Sequence, residues 1–127
     1  MGIDRLVTTA ADQRTVEFDW GTIVWRDSAE LTGTDSLTVG TVTIEPGAHN
    51  AEHVHPNCDE ALHLCSGELR HSVGDESVEL EAGDLVHIPR GEPHQAWNEG
   101  DEEAVAVIVY DTGERTVEFV DEDASSE

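Results

Sequence analysis

Two histidines separated by one residue and followed by a glutamate are the strongest chemical signal in the chain. The stretch 47–67 reads GAHNAEHVHPNCDEALHLCSG and contains His53, His55 and Glu60. Side chains alternate between faces along a β-strand, so His53 and His55 point to the same side, one pleat apart. Imidazole and carboxylate groups together suit a divalent transition metal. This spacing therefore predicts a metal site.

A second stretch, 83–98, supplies a fourth candidate ligand. His94 follows the turn sequence Gly91-Glu92-Pro93 and begins a predicted strand. We expect the Pro56-Asn57 turn to fold the strand of Glu60 back beside the strand of His53, so that all four side chains meet. A His-x-His pair that occurs by chance on an exposed strand is the alternative, and two more ligands beside tight turns favour the metal.

Short β-strands must position these ligands. Alternating apolar and polar residues recur at intervals of about 8–12 residues between Gly- and Pro-containing turns, and no helical period is sustained over several turns. This pattern predicts an all-β sandwich or barrel in a single domain over 1–127, with peripheral segments 1–14 and 121–127 that fray. The predicted strands are 15–19, 21–25, 37–45, 51–55, 59–65, 68–73, 77–81, 85–89, 95–98, 104–110 and 116–120, with a weaker one at 5–9.

The two stretches resemble the two sequence motifs of the cupin superfamily, and the short spacing between them is similar to that of a small, type-2-like member. Ten positions match the motifs, namely Gly47, His53, His55, Glu60, Gly67, Gly83, Pro89, Gly91, His94 and Asn98. The resemblance implies an antiparallel jelly-roll β-barrel of six to eight strands. It also implies one divalent transition metal inside the barrel, bound by His53, His55, Glu60 and His94. Three imidazoles and one carboxylate leave two octahedral positions open, and Fe, Mn, Ni, Zn and Cu all accept this ligand set.

Candidates for an acid or base beside the metal are fewer. His71 and Tyr110 are the two side chains that we expect to point into the barrel in that role. We expect Cys58 to be a buried, inert thiol and Cys65 to lie in the core. His63 has the opposite parity to Glu60, so it should face away from the metal.

The resemblance implies a metal-dependent enzyme that acts on a small molecule, of oxygenase, isomerase, decarboxylase or lyase type. The alternative is a non-catalytic module that binds or senses a small ligand and uses the metal as an anchor. Leu62, Leu64 and Ala96 share the faces of the ligands and predict a mostly apolar pocket, which suits a small ring or chain better than a polyol.

The charge of the chain limits its partners and its surroundings. There are 29 acidic residues against six arginines and no lysine, which gives a formal net charge of −23. Nucleic acids and anionic membranes require basic patches, so neither partner is expected. A surface this acidic repels itself unless salt screens it, which favours the salt-rich cytoplasm of a halophile. We also expect a homodimer that covers edge strands, and a cytoplasmic protein, because no signal-peptide or membrane-spanning pattern occurs.

Overall fold

A computed structural model describes residues 2–121. Residues 122–127 of the tail that the sequence predicts to fray lie outside the described residues. The described chain is almost entirely β, and its strands form two antiparallel sheets. The strands are β1 Arg14–Phe18, β2 Gly21–Asp27, β3 Thr38–Ile44, β4 His53–Val54, β5 Glu60–Ser66, β6 Glu68–Val73, β7 Glu76–Glu81, β8 Leu85–Ile88, β9 His94–Trp97, β10 Ala104–Tyr110 and β11 Glu118–Phe119. The first sheet has the order β1-β2-β3-β10-β5-β8, and the second has the order β11-β4-β9-β6-β7.

Strict alternation of side chains builds the core between the two sheets. In β10, every second residue from Ala104 to Tyr110 is buried, and β3 shows the same pattern from Thr38 to Ile44. These two strands pair in register, with Ala106 opposite Val42, so their inward side chains form one continuous apolar surface. The predicted all-β architecture is confirmed, and it is consistent with a jelly-roll barrel.

One motif glycine is required by its surroundings. Gly67 joins β5 to β6 with φ 81°, a backbone conformation that L side chains rarely adopt. A Cβ at this position would lie 2.5 Å from the carbonyl oxygen of Glu103. The hairpin that begins at Glu68 can therefore pack against the start of β10 only if residue 67 has no side chain.

The N-terminal third of the chain differs from the sequence prediction in two places. The predicted strand at 5–9 is absent. A 3-10 turn over Ile3–Leu6, none of whose residues is buried, occupies the first part of that segment. The predicted polar loop at 28–35 contains a one-turn helix, α1, over Ala29–Thr32. The hydroxyl of Ser28 accepts a hydrogen bond from Leu31 N, and Gly33 ends the turn in the left-handed conformation. These two caps stabilise a helix too short to show a period.

The expected pairing of the first two ligand strands is wrong. The turn after β4 carries the chain across the barrel, so β4 and β5 lie in different sheets. Asn57 anchors this crossing, since its side-chain amide donates to the carbonyl of Glu114 and its oxygen accepts from the backbone N–H of Thr116. β4 instead pairs with β9 and β11.

The expectation for Cys65 is also wrong. Leu62 and Leu64 face the core from β5, so alternation places His63 and Cys65 on the outer face, where both are exposed. In residues 2–121, no helix is both long and apolar enough to cross a membrane.

Leu64 tests the importance of the core for stability, because its side chain is 0% exposed between the sheets. Leu64→Ala should lower the free energy of unfolding by about 2–5 kcal/mol, the usual cost of a buried cavity of this size. Leu85→Ala is the matched control, because Leu85 is 57% exposed, and it should change stability by less than about 0.5 kcal/mol. Urea denaturation followed by circular dichroism measures both values. Equal losses for the two variants would contradict this assignment of the core.

Candidate metal centre

Four buried side chains converge between the two sheets. His53 in β4 and His94 in β9 lie directly opposite each other in the second sheet, and His55 follows β4 by one residue. Glu60 begins β5 in the first sheet and faces them from across the barrel. Each of the four offers one donor atom, and these atoms all lie within 4.8 Å of one another. The structure thus brings together the four residues that the sequence selects.

Backbone carbonyls fix the orientation of all three imidazoles. The Nδ1 atoms of His53, His55 and His94 lie 2.7, 2.9 and 2.9 Å from the carbonyl oxygens of Ala51, Thr116 and Glu92, respectively. A carbonyl oxygen can only accept a hydrogen bond, so each Nδ1 must carry a proton. In a neutral imidazole, the proton on Nδ1 leaves a lone pair on Nε2. This is the arrangement that a metal-binding histidine requires.

Glu60 supplies a negative charge in this buried site. Burial by itself raises the pKa of its carboxyl, but hydrogen bonds from the His55 and His94 imidazoles and their positive charge, when Nε2 carries a proton, outweigh that effect and lower the pKa below its usual range. A metal cation in place of those protons would lower it in the same direction. Glu60 is therefore ionised at neutral pH. An ionised carboxylate in the protein interior requires a cation close to it.

The contacts among these atoms fit a metal ion. Oε1 of Glu60 lies 3.1 Å from Nε2 of His94 and 3.4 Å from Nε2 of His55. A carboxylate oxygen facing an imidazole lone pair is repulsive unless a positive charge lies on or between the two atoms. Nε2 of His55 is also buried, without a hydrogen-bond partner among the described residues. One divalent transition-metal ion between the four side chains would satisfy every one of these atoms.

A small cavity of about 20 Å³ adjoins these side chains. By volume it admits about one water molecule. The polar residues around it, apart from candidate ligands, are Asn50, His71 and Tyr110. The remaining lining is apolar except for the indole N–H of Trp20, which is buried without a hydrogen-bond partner among the described residues, and it comprises Trp20, Ile23, Val42, Ile44, Leu62, Ala96 and Ile108. The predicted apolar wall of Leu62 and Ala96 is thus present beside the site, while Leu64 lies deeper in the core.

Both acid/base candidates lie beside the centre. The His71 ring stacks on the His94 ring with 6.0 Å between centroids, and its Nδ1 is buried with no hydrogen-bond partner among the described residues. Burial lowers the pKa of His71 to about 4, so its ring is neutral at pH 7. Tyr110 lies opposite Glu60 in the β10–β5 ladder, and its ring meets that of His55 edge-on at 4.9 Å.

Other histidines and cysteines lie where they cannot take part. His49 and His63 are exposed, and for His63 this agrees with its predicted orientation away from the metal. Cys58 is buried, and that burial raises the pKa of its thiol to about 11, so it remains protonated at neutral pH. Asn98 caps a turn, because its amide donates to the carbonyls of Ile44 and Glu102 rather than to the ligand loop.

The carbonyl of Thr116 is the feature that sequence reasoning missed. It orients His55 from 61 positions further along the chain, and Asn57 holds the same segment. Any residue other than proline offers the same backbone groups, so the identity of Thr116 carries no signal. The side chain of Asn57 is visible in the sequence, but its partner is not.

Comparisons with known proteins agree with this geometry. Residues 40–110 match the family model described as the cupin domain. The chain is 29% identical over 104 residues to the oxalate decarboxylase OxdC of Bacillus subtilis, 33% identical over 104 residues to oxalate oxidase 1 of Hordeum vulgare, and 35% identical over 76 residues to the tetracenomycin polyketide synthase protein TcmJ of Streptomyces glaucescens.

The alignment with OxdC covers 78% of this chain and 27% of OxdC. The alignment with oxalate oxidase 1 covers 74% of this chain and 52% of the relative. The alignment with TcmJ covers 60% of this chain and 51% of the relative. The chain therefore spans about half the length of these relatives or less. A solved structure of the Bacillus subtilis oxalate decarboxylase, whose description concerns its Mn(II) centres, superimposes with a TM-score of 0.79 at 26% identity. That match covers 87% of this chain and 30% of the other.

Proposed function

This chain belongs to the cupin family, and from that premise we propose that it is a metal-dependent enzyme acting on a small organic molecule. The proposed metal ligands are His53, His55, Glu60 and His94. The observation that carries the proposal is the fixed tautomer of the three histidines. The Nδ1–H of each ring donates a hydrogen bond to a backbone carbonyl, so the Nε2 lone pair of each ring is directed toward the ionised carboxylate of Glu60.

Four protein donors leave two positions of an octahedral ion for water, oxygen or substrate. A divalent metal in such a site acts as a Lewis acid, lowers the pKa of bound water, or takes part in redox chemistry. Manganese is the metal that we favour, because a similar structure is described by its Mn(II) centres; the nitrogen and oxygen donors of this site accept it but do not by themselves select it.

His71 and Tyr110 would then act on the bound molecule. Both line the small cavity beside the ligands. His71 stays neutral near pH 7, so its buried Nδ1 can exchange a hydrogen bond or a proton with a polar atom of the substrate. Tyr110 packs on His55 and also lines the cavity, so its hydroxyl is a second candidate for holding a proton there.

The relatives are named for oxalate chemistry and for polyketide synthesis, so resemblance alone does not choose the substrate. The chain has no lysine, and no arginine is among the described residues that line the metal cavity. With one Glu60 carboxylate, a divalent metal leaves one net positive charge in a largely apolar chamber. A dianion such as oxalate would therefore be buried with an uncompensated negative charge, which is costly. We expect a substrate with at most one negative charge at the metal.

The surroundings of the protein follow from its charge and its edges. A net charge of −23 favours a compartment with high salt, and we place the protein in the cytoplasm of a salt-adapted cell. The described part of each sheet has two edge strands, β1 and β8 in one and β7 and β11 in the other. A homodimer that covers one of these edges would remove an exposed pairing surface.

Metal content tests the ligand assignment. Wild-type protein reconstituted with Mn(II) and desalted should retain about one equivalent, since four donors saturate a single ion. His53→Ala should abolish retention, whereas His63→Ala should leave it unchanged, because His63 is exposed on the opposite face of β5. Elemental analysis by mass spectrometry measures both. Full retention in His53→Ala, or loss in His63→Ala, would refute the assignment.

Ligand competition tests the predicted charge of the substrate. The quantity compared is the affinity for oxalate divided by the affinity for acetohydroxamate. This ratio should be at least about tenfold lower for Mn(II)-loaded protein than for free Mn(II) in water, because a buried dianion lacks a second cation. Electron paramagnetic resonance of the bound Mn(II) follows the titrations. The free ion serves as the reference for intrinsic metal affinity. An unchanged ratio would show that the cavity accepts a dianion.

Salt dependence tests the proposed surroundings. Lowering KCl from about 2 M to about 0.1 M lengthens the screening distance from a few ångströms to about 10 Å, so self-repulsion should lower Tm markedly. Differential scanning calorimetry measures Tm, and light scattering of the same samples should give a dimer at high salt. Sodium chloride at equal ionic strength separates screening from a specific effect of potassium. A Tm independent of salt, or a monomer at every concentration, would contradict the corresponding proposal.

A further inference from the structure

Buried polar atoms without a partner concentrate at the metal cavity. Within residues 2–121, four buried side-chain atoms have no hydrogen-bond partner, namely Nε2 of His55, Nδ1 of His71, Nε1 of Trp20 and Oγ1 of Thr8. His55 is a candidate metal ligand, and both His71 and Trp20 line the small cavity beside the ligands. Burial of an unpartnered polar atom is costly. Three such atoms around one centre therefore indicate that the cavity holds a polar group.

Trp20 is the member of this set that neither a metal ion nor a proton transfer would satisfy. An indole nitrogen carries its proton at every pH of interest and can only donate a hydrogen bond. The Trp20 side chain is 4% exposed, and its Nε1 is buried, so bulk water does not serve as its partner. The group that pairs with Trp20 is therefore an acceptor held inside the protein, and the cavity that Trp20 lines is the place for it.

The fold holds Trp20 in one position. Trp20 lies in the tight turn between β1 and β2, and its carbonyl oxygen accepts a hydrogen bond of 2.9 Å from the backbone N–H of Glu45. The Phe18 ring stacks on the indole, with 4.7 Å between the ring centroids and 4° between the planes. A Cβ at Gly21 would overlap the carbonyl oxygen of Thr43, so the turn lies directly against β3. The indole donor is thus positioned before any ligand binds.

The small cavity brings this donor and the metal ligands to the same space. Its volume of about 20 Å³ admits about one water molecule, and Trp20, Glu60 and His94 all line it. An oxygen atom in that space therefore lies beside the indole and beside the candidate metal ligands together.

A second pocket, which we call the large pocket, has a volume of about 780 Å³ and is formed by β1, β2, α1 and the segment 113–117. None of the four residues with unpartnered atoms lines it, and neither does any candidate metal ligand. The unpartnered donors thus favour the small cavity over the large pocket as the place of a polar ligand.

We propose that Trp20 is a specificity-determining residue of the metal centre, whose indole N–H donates a hydrogen bond to an oxygen of the bound molecule. This role rests on the proposed function and adds the substrate class: a neutral or singly charged molecule that places a carbonyl, carboxylate or hydroxamate oxygen in the small cavity. A molecule that presents only N–H or C–H groups there would leave the indole unpaired. A site that hydrogen-bonds its substrate rejects such analogues, because a buried polar group then lacks its partner.

Nuclear magnetic resonance of the indole groups tests this role directly. Zn(II) suits the same ligands and is diamagnetic, so Zn(II)-loaded protein is labelled with ¹⁵N in its three tryptophans. Acetohydroxamate should shift the indole proton of Trp20 downfield, whereas ethylenediamine should not, since the metal uses both of its nitrogen lone pairs. Trp20→Phe identifies the signal. If that variant does not fold, the signal is the one that persists in both Trp25→Phe and Trp97→Phe.

Isothermal titration calorimetry of the same Zn(II)-loaded proteins tests the effect on affinity. Trp20→Phe should weaken acetohydroxamate binding about tenfold and ethylenediamine binding less than about twofold, because only acetohydroxamate loses a hydrogen bond. Trp97→Phe is the matched control and should change neither affinity. The Trp97 ring packs under the guanidinium of Arg70, with 4.0 Å from the guanidinium carbon to the ring centroid, and does not line the metal cavity.

The zinc content of each sample separates failure of this role from failure of the proposed function. A wild-type protein that does not retain zinc would refute the metal centre and the role of Trp20 with it. If zinc is retained, a Trp20 indole proton that acetohydroxamate does not shift, or that both ligands shift alike, would overturn the role of Trp20 alone. Equal losses of affinity for both ligands in Trp20→Phe would also overturn it, because they would show an effect of packing rather than of the N–H group.

Discussion

The centre of this protein depends on three hydrogen bonds from imidazole Nδ1 atoms to backbone carbonyls. They fix both the rotation of each ring and the position of its proton, and they direct the Nε2 lone pairs of His53, His55 and His94 toward a buried carboxylate. Without a cation this arrangement places electron-rich atoms within 3.1–3.4 Å of one another. This repulsion lowers the stability of the folded state, and apolar burial in the core between the sheets must offset it.

The fold distributes the four candidate ligands over both sheets. The three imidazoles belong to the second sheet or follow it directly, whereas Glu60 belongs to the first. Glu60 is at the start of β5, and its pairing with Tyr110 of β10 fixes how far into the space between the sheets its carboxylate reaches. Relative sliding of the two sheets would separate Glu60 from the histidines. The distances between Glu60 and the three histidines consequently depend on how the two sheets pack against each other.

The sequence allowed the ligand residues and most strands to be predicted, because local spacing encodes both. A His-x-His pair on an extended segment must present two rings on one face, and turn residues mark where strands end. The pairing of β4 was not predictable in the same way, since a five-residue connection, 55–59, is compatible with a hairpin or with a crossing between sheets. The distinction depends on contacts of Asn57 with residues almost sixty positions away. Cys65 was misplaced for a simpler reason, since its apolar character outweighed the alternation of β5 in the interpretation.

The two cavities together restrict how an organic molecule could reach the metal. The space beside the ligands is about 20 Å³ and the neighbouring pocket about 780 Å³, so a molecule larger than water fits only in the second. Tyr110 stands between them, with His55 on one side and Trp25 on the other. A substrate that binds the proposed metal would therefore have to displace part of the lining of the small cavity, and Tyr110 is the lining residue that also contacts Trp25 of the large pocket.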